Sequence, residues 1–288
     1  MNLSRAKTIL IYAFLGLNLF LCFFLFGDLF KKPLQMRVSH KQWHQIKEQI
    51  GESGYLVAAR VDRAARKSAF LTVSPSDDPE RAIRSRFEMI PGSSAPDGSL
   101  YFRGEEARLK VLPGGLLQLE LTPGKPLSKE VAAVDEKAMA ALVERYLKEN
   151  KLVPAEIRYD HMTASGSKTV LHYRQTVGGA SLFSGYLDAI LENNTLMALE
   201  IYLLEPEPRA RGREMEIIPA ARALLRLVEI LGPSSSPKRI IRVDPGFYSR
   251  QYDAEKWEVP PVWRFLFDNG DSCFINAFTG NLEPETSN

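Results

Sequence analysis

Four histidines, two cysteines, a few serines and some adjacent carboxylates are the side chains with chemistry to offer in this chain, and their spacing decides what that chemistry is. His40 and His44 lie four apart in SHKQWHQIKEQIG, the spacing by which two imidazoles on one helix can face one metal ion. A metalloprotease helix also needs a glutamate directly after the first histidine, and no third ligand accompanies this pair, so it reads as a solvated helix face. His161 and His172 fall in neighbouring strand-like runs, where they can meet as a cross-strand pair without a metal. Ser184-Gly185 and Ser234-Ser235-Ser236 read as turn and loop residues, with no histidine near them in sequence to act as a base. Cys273, in an apolar run, reads as an inert core residue, since nothing nearby would activate a thiol. Cys22 lies in a different kind of segment, so the two cysteines do not pair. Asp77-Asp78 and Glu105-Glu106 are adjacent, and adjacent side chains on an extended chain point apart. There is no G-x-S-x-G, phosphate-binding glycine loop or nucleotide fingerprint. The expectation is a protein that is not an enzyme and holds no cofactor or metal.

The strongest signal is instead at the N-terminus. From Thr8 to Gly27 no side chain is charged, and twenty such residues make a helix of about 30 Å, the thickness of a bilayer's hydrocarbon core. The run is longer than the core of a signal peptide and leads into Phe26-Gly27-Asp28-Leu29-Phe30 rather than small residues. It is read as an uncleaved transmembrane anchor over 8–30 behind a short tail, 1–7, with membrane lipid as its surroundings. Charge orients it poorly: Arg5 and Lys7 precede the span, but Lys31, Lys32, Arg37 and Lys41 follow it, a count against export. The short leading tail argues the other way. Across the whole chain Lys plus Arg number 37 against 35 for Asp plus Glu, and the basic residues are dispersed, which leaves no footprint for nucleic acid.

The elements that must position any site follow from periodicity and turn chemistry. Ser39 can cap a helix that places Trp43, Ile46 and Ile50 on one face. Strand-like runs follow at 55–61, 68–74, 99–104, 107–112 and 116–122, and the Pro-, Ser- and Asp-rich stretch between the second and third reads as a long surface excursion. TPGKPLSKE, 122–130, is the expected domain boundary. Beyond it, Val131, Val134, Ala138, Leu142 and Tyr146 mark a helix, and four strands follow in meander order up to about residue 205. A last helix, EIIPAARALLRLVEILG, stops at Gly232-Pro233, and Asn269-Gly270 between two alternating runs is the clearest hairpin signal. The fold class expected is α+β: a first domain over 36–122 and a second over 128–288, each an antiparallel meander packed with helices.

Two stretches resemble known families. RAKTILIYAFLGLNLFL, with a basic residue, Lys-Thr, an apolar run and a central Leu-Asn-Leu-Phe, resembles the start of the YycI proteins, single-span companions of the YycG (WalK) sensor histidine kinase. VPPVWRFLF…NGDSCFINAFTGNLE resembles the closing hairpin of PepSY-type modules, with Asn276 where such modules often carry aspartate, and makes 214–288 a PepSY-like unit. The first resemblance implies a bacterial cell-membrane protein with a cytoplasmic N-terminus, one span and an extracytoplasmic α+β region. It also implies a non-catalytic role beside a YycH-like sister protein, tuning a kinase that governs cell-wall metabolism. The alternatives are a membrane-tethered PepSY-like inhibitor or peptide-binding module, and an envelope scaffold.

Within the span, Asn18 is the residue out of place. A carboxamide in hydrocarbon gains roughly 0.6–2 kcal/mol from a partner on another helix. Leu15, Asn18, Cys22 and Leu25 share one face and Gly16 allows close backbone approach, so this face is the expected contact with the kinase or the sister protein. The alternative is a local hydrogen bond. Outside the membrane, Trp257, between Lys256 and Glu258, is the expected surface anchor, whereas Trp263 alternates with Phe265 and Phe267 and belongs to the core.

Overall fold

A computed structural model describes residues 14, 17–18, 37–127, 135–153, 156–211, 214–250 and 254–284. Phe14, Leu17 and Asn18 are helical, and the rest of the expected span lies outside the described residues. Among the described residues no helix is long and apolar enough to cross a membrane.

The chain forms four helices among the described residues: α1 (His40–Glu52), α2 (Asp78–Arg86), α3 (Glu136–Glu149) and α4 (Ala220–Leu231). Ser39 caps α1 through a reciprocal box: its Oγ accepts the Gln42 N–H at 3.3 Å and Gln42 Oε1 accepts the Ser39 N–H at 2.9 Å. Asp135 caps α3 in the same sense, accepting from the Ala138 N–H at 3.1 Å. The buried stripe of α3 is Met139, Ala140, Val143 and Leu147, one residue on from the expected stripe, whose members Ala138, Leu142 and Tyr146 flank it half-buried. The last helix begins after Pro219 and buries Ala220, Ala221, Ala223, Leu224, Leu227 and Val228.

The strands of the first half are β1 (Tyr55–Val57), β2 (Arg66–Ser68), β3 (Leu71–Pro75), β4 (Ile90–Ser94), β5 (Leu100–Arg103), β6 (Ala107–Val111) and β7 (Leu117–Pro126). The meander is β8 (Ile157–Ser165), β9 (Lys168–Val177), β10 (Ala180–Glu192) and β11 (Thr195–Tyr202). The remainder are β12 (Leu204–Arg211), β13 (Met215–Ile217), β14 (Lys238–Phe247), β15 (Trp257–Val259), β16 (Pro261–Phe267) and β17 (Ser272–Asn276). Twelve strands join one sheet in the order β17-β16-β14-β10-β11-β7-β6-β5-β4, with β1 beside β14, β9 beside β10 and β8 outside β9. Its centre is β10, which changes neighbours along its length. Ser181 and Leu182 pair in parallel with Gly246 and Phe247 of β14, and after a bulge Tyr186 to Glu192 pair antiparallel with β11.

The fold class is α+β, as expected, but the expected boundary does not separate two sheets. Residues 122–126 are strand, β7 pairs with β11, and one core joins Ile83, Phe102, Leu109 and Leu119 to Val143, Leu171, Leu187 and Leu199. The prolines and glycine that signal a linker are accommodated near the end of a strand, in a region where the β7–β11 register slips. A second core joins Ile50 of α1 and Tyr55 of β1 to Leu224, Ile240, Trp263, Phe265 and Ile275, so the first helix packs with the last third of the chain. The stretch expected as a surface excursion also carries structure. Pro79 lies in the first turn of α2, and Ile83, Phe87 and Met89 are buried beneath its charged outer side.

Candidate functional site

Alternation along β8 to β11 and β7 sends one set of side chains into the first core and the other onto the opposite face of the sheet. Leu171, Leu187, Leu199 and Leu119 take the core side. Register places the others in a row: His161 opposite His172, His172 opposite Asp188, Asp188 opposite Glu200, and Glu200 opposite Gln118. A second row runs from Arg174 through Tyr186 to Tyr202. Both rows line an open groove of about 1170 Å³, walled by Leu112 and Pro113 beyond β6 on one side and by Tyr248 and the Asn269-Gly270 turn on the other.

Hydrogen bonds lock the floor. His172 Nδ1 lies 2.9 Å from Asp188 Oδ1 and its Nε2 lies 3.0 Å from Thr163 Oγ1; a carboxylate only accepts, so Nδ1 carries the proton. Tyr186 donates its hydroxyl to Glu200 Oε1 at 2.9 Å, and Arg174 lies 3.5 Å from Asp188. The rings of His161 and His172 stack with centroids 4.4 Å apart. Burial and then Glu200 push the Tyr186 phenol well above its ordinary range, and burial alone raises that of Tyr202 to about 12. The sequence Thr163, His172, Asp188 has the connectivity of a nucleophile, base and orienting acid. The Asn269-Gly270 turn packs against the methyl side of Thr163, where a Cβ on Gly270 would come within 2.6 Å of the Thr163 methyl carbon.

At the His161 end the floor rests on a buried ion cluster. Arg264, 1 % exposed, donates from Nη1 and Nη2 to Asp160 at 2.5 and 2.8 Å and from Nη2 to Asp244 at 2.6 Å. Arg242 donates to Asp160 Oδ1 at 2.5 Å and to its main-chain carbonyl at 2.7 Å, and His161 Nδ1 lies 3.0 Å from Asp160 Oδ2. Burial opposes ionisation of Asp160, but the hydrogen bonds from His161 and Arg264 and the charges of Arg264 and Arg242 outweigh it and hold its carboxyl far below the ordinary range. Burial lowers His161 below the ordinary histidine value, against the pull of Asp160 and with the help of neighbouring His172. Asp160 thus ties β8 to β14 and β16, the hairpin to the C-terminal unit.

The residues singled out in the sequence fare differently. Asn18 donates its side-chain N–H to the Phe14 carbonyl at 2.9 Å, a local bond, while Leu15, Gly16, Cys22 and Leu25 lie outside the described residues. Trp257 is not a surface anchor: it is 9 % exposed, packs in a third core with Leu71, Val73 and Val259, and donates its indole N–H to Ser249 Oγ at 2.9 Å. Its charged sequence neighbours mislead because in β15 alternate side chains face opposite ways. Trp263 is core, as expected. His40 and His44 are exposed on α1, and among the described residues no group of three His, Cys, Asp or Glu is placed to hold a metal. Ser184 bridges the Ser249 N–H and carbonyl at 2.9 and 2.8 Å, a structural role. The expected His161–His172 approach is present, whereas the Asp160–Arg264 pairing was missed because its partners are 104 residues apart.

The family model described as YycI protein matches residues 116–278, which include both polar rows and all of the buried ion cluster. No curated protein matches significantly. Among solved structures, an uncharacterized protein from Eubacterium rectale is similar in fold, with a TM-score of 0.51 at 11 % identity, over 87 % of this chain and 99 % of that one. The C-terminal domain of YpeB from Bacillus megaterium aligns over 73 % of this chain and 95 % of its own at 12 % identity, with a TM-score of 0.38.

Proposed function

Since the chain belongs to the YycI family, with more than half of its length matched, we propose that it is a membrane-anchored, non-catalytic accessory regulator of a YycG/WalK-like sensor histidine kinase, acting together with a YycH-like protein. The family match carries this reading. The uncharged run from Thr8 to Gly27 supports a single-span anchor in the bacterial cell membrane, with the N-terminus cytoplasmic and the folded part outside. In this reading Leu15, Asn18, Cys22 and Leu25, which helical spacing puts on one face, meet a helix of the kinase or the sister protein, and Gly16 lets a neighbouring backbone come close. The bond from Asn18 to Phe14 uses one of the two N–H donors a carboxamide carries, and a partner helix engages the remaining capacity.

The test is mild crosslinking of the full-length protein in its own host, followed by purification and mass spectrometry. A sensor histidine kinase and a second single-span protein are expected, with yield reduced in the Asn18→Leu variant. Undiminished yield from that variant would remove the helix face from the reading. Recovery of a protease or of envelope enzymes without a kinase would replace the reading by a tethered inhibitor or a scaffold.

A further inference from the structure

We infer that the end of the folded region next to the anchor is a basic docking face for the anionic phospholipid headgroups of the membrane that holds that anchor. From Leu29 to Lys47 the chain carries no acidic residue, but it carries Lys31, Lys32, Arg37, Lys41 and Lys47. The fold adds to this run from a second segment. Arg37 bridges Ala64 in antiparallel fashion, and the Val38 N–H donates to the Arg63 carbonyl at 2.9 Å, so the loop with Arg60 and Arg63 lies against the chain as it enters α1. Arg37, Lys41 and Arg60 are exposed and Arg63 is half-buried, and among the described residues none of the four pairs with a carboxylate. Asp62, the acid between the two loop arginines, is taken up by Arg66 at 2.6 and 2.8 Å and by the Ala64 N–H at 2.9 Å. Positive charges gathered without a counter-charge repel one another, and a phosphate surface supplies the missing charge.

Chain length selects the occupant. Residues 31–36 alone separate the expected span from Arg37, and a chain that short reaches no further than about 20–25 Å. The face is thereby held beside the headgroups at high local concentration, whereas a soluble polyanion would have to bind from dilute solution. Each lysine or arginine near an anionic bilayer strengthens such a contact by about fivefold. The same reading gives a use to Lys31, Lys32, Arg37 and Lys41, which count against export when taken only as signals of orientation. The inference rests on the membrane anchor proposed above and not on the kinase contact.

The experiment places the full-length protein in nanodiscs of phosphatidylcholine and phosphatidylglycerol in equal parts, with a trace of one lipid or the other carrying a photoactivatable diazirine in its headgroup. Adducts are mapped by mass spectrometry. Residues 37–41 and 58–64 are expected to be labelled by the phosphatidylglycerol probe well above the phosphatidylcholine probe, and high salt should remove the difference. Lys41→Gln, read at 58–64, and Arg63→Gln, read at 37–41, are each expected to lower the yield by about fivefold without lowering the unfolding temperature. Arg103→Gln, in β5 towards the far end of the sheet, should leave it unchanged. Equal labelling by both probes, or labelling indifferent to Lys41→Gln and Arg63→Gln, overturns the inference and leaves the anchor standing. A chain that does not enter the discs overturns both. Loss of the adducts on adding inorganic polyphosphate, at a phosphate concentration equal to that of the lipid, reassigns the face to a soluble polyanion.

Discussion

Asp160 and Arg264 are each almost fully enclosed, and neither can be removed without leaving the other's charge buried. Breaking such a pair from one side typically costs about 3–5 kcal/mol. Asp160→Ala is therefore expected to lower unfolding free energy by about that amount in denaturant titration, and a loss below about 1 kcal/mol would show the cluster to be solvated in practice. Protonation acts on the same residues. The pKa of His161 is depressed in the folded protein from its ordinary 6.5, so the unfolded chain binds the proton first as pH falls. The stability this histidine contributes is present above pH 6.5 and is lost as pH drops from there towards the lowered folded value. Asp160, also depressed, acts in a separate window below its ordinary 3.8. Between pH 7 and 5 the wild-type protein should thus lose stability more steeply than His161→Gln. Equal slopes would show that His161 is not the group responsible. The groups facing this pair are Asp160, Arg174 and Asp188, with Arg242, Arg264 and Asp244 behind them.

At the scale of elements, the bulge in β10 decides where the groove can form. Between Leu182 and Tyr186 the ladder with β9 is interrupted, and the Gln175 carboxamide takes the place of a strand neighbour, donating to the Leu204 carbonyl at 2.6 Å and accepting from the Leu204 N–H at 3.0 Å. Gly185 makes room for it: a Cβ there would sit 2.1 Å from Gln175 Oε1. Gly185→Ala is expected to cost about 1–3 kcal/mol by overpacking, and Gln175→Ala in the same chain should recover part of that cost. Strict additivity of the two substitutions in denaturant unfolding would show that they do not compete for one space. Ser184-Gly185 was legible as an irregular point, and the run 181–192 as a strand. That the irregularity is a bulge, with β11 following it as the next meander strand, depends also on β14 and Ser249, whose contacts with this stretch come from 65 residues away in sequence.

For the whole molecule, the division into an N-terminal and a C-terminal domain gives way to cores that cross it. Ile50 and Tyr55 belong to the same core as Trp263 and Phe265, and β1 adds to the edge of β14 in parallel. β7 and β6 close the first core over the meander. A fragment of residues 128–288 would leave both surfaces open. It is expected to lack a cooperative unfolding transition and to aggregate, whereas a chain from residue 37 to the end should unfold cooperatively. A soluble, cooperative 128–288 fragment would restore the simple division into two domains. The same crossing explains how one groove comes to be walled by residues near 112, 248 and 270.

Periodicity, caps and turn residues are local, so the sequence alone determined the α+β class, the four-strand meander, the helix after Ser39 and the Asn269-Gly270 hairpin. It also marked Trp263 as core and the two histidines as neighbours. The polar rows were half-visible, since Glu200 and Tyr202 alternate with Leu199 and Ile201, but alternation says which residues share a face and not which strands lie side by side. Only the tertiary structure decided that a single sheet runs through the expected linker, that α1 joins α4, that Trp257 is buried and that Asp160 meets Arg264. Each of these is a pairing between distant segments, selected by the free energy of burying apolar area and pairing charges across the whole chain, which no local window contains.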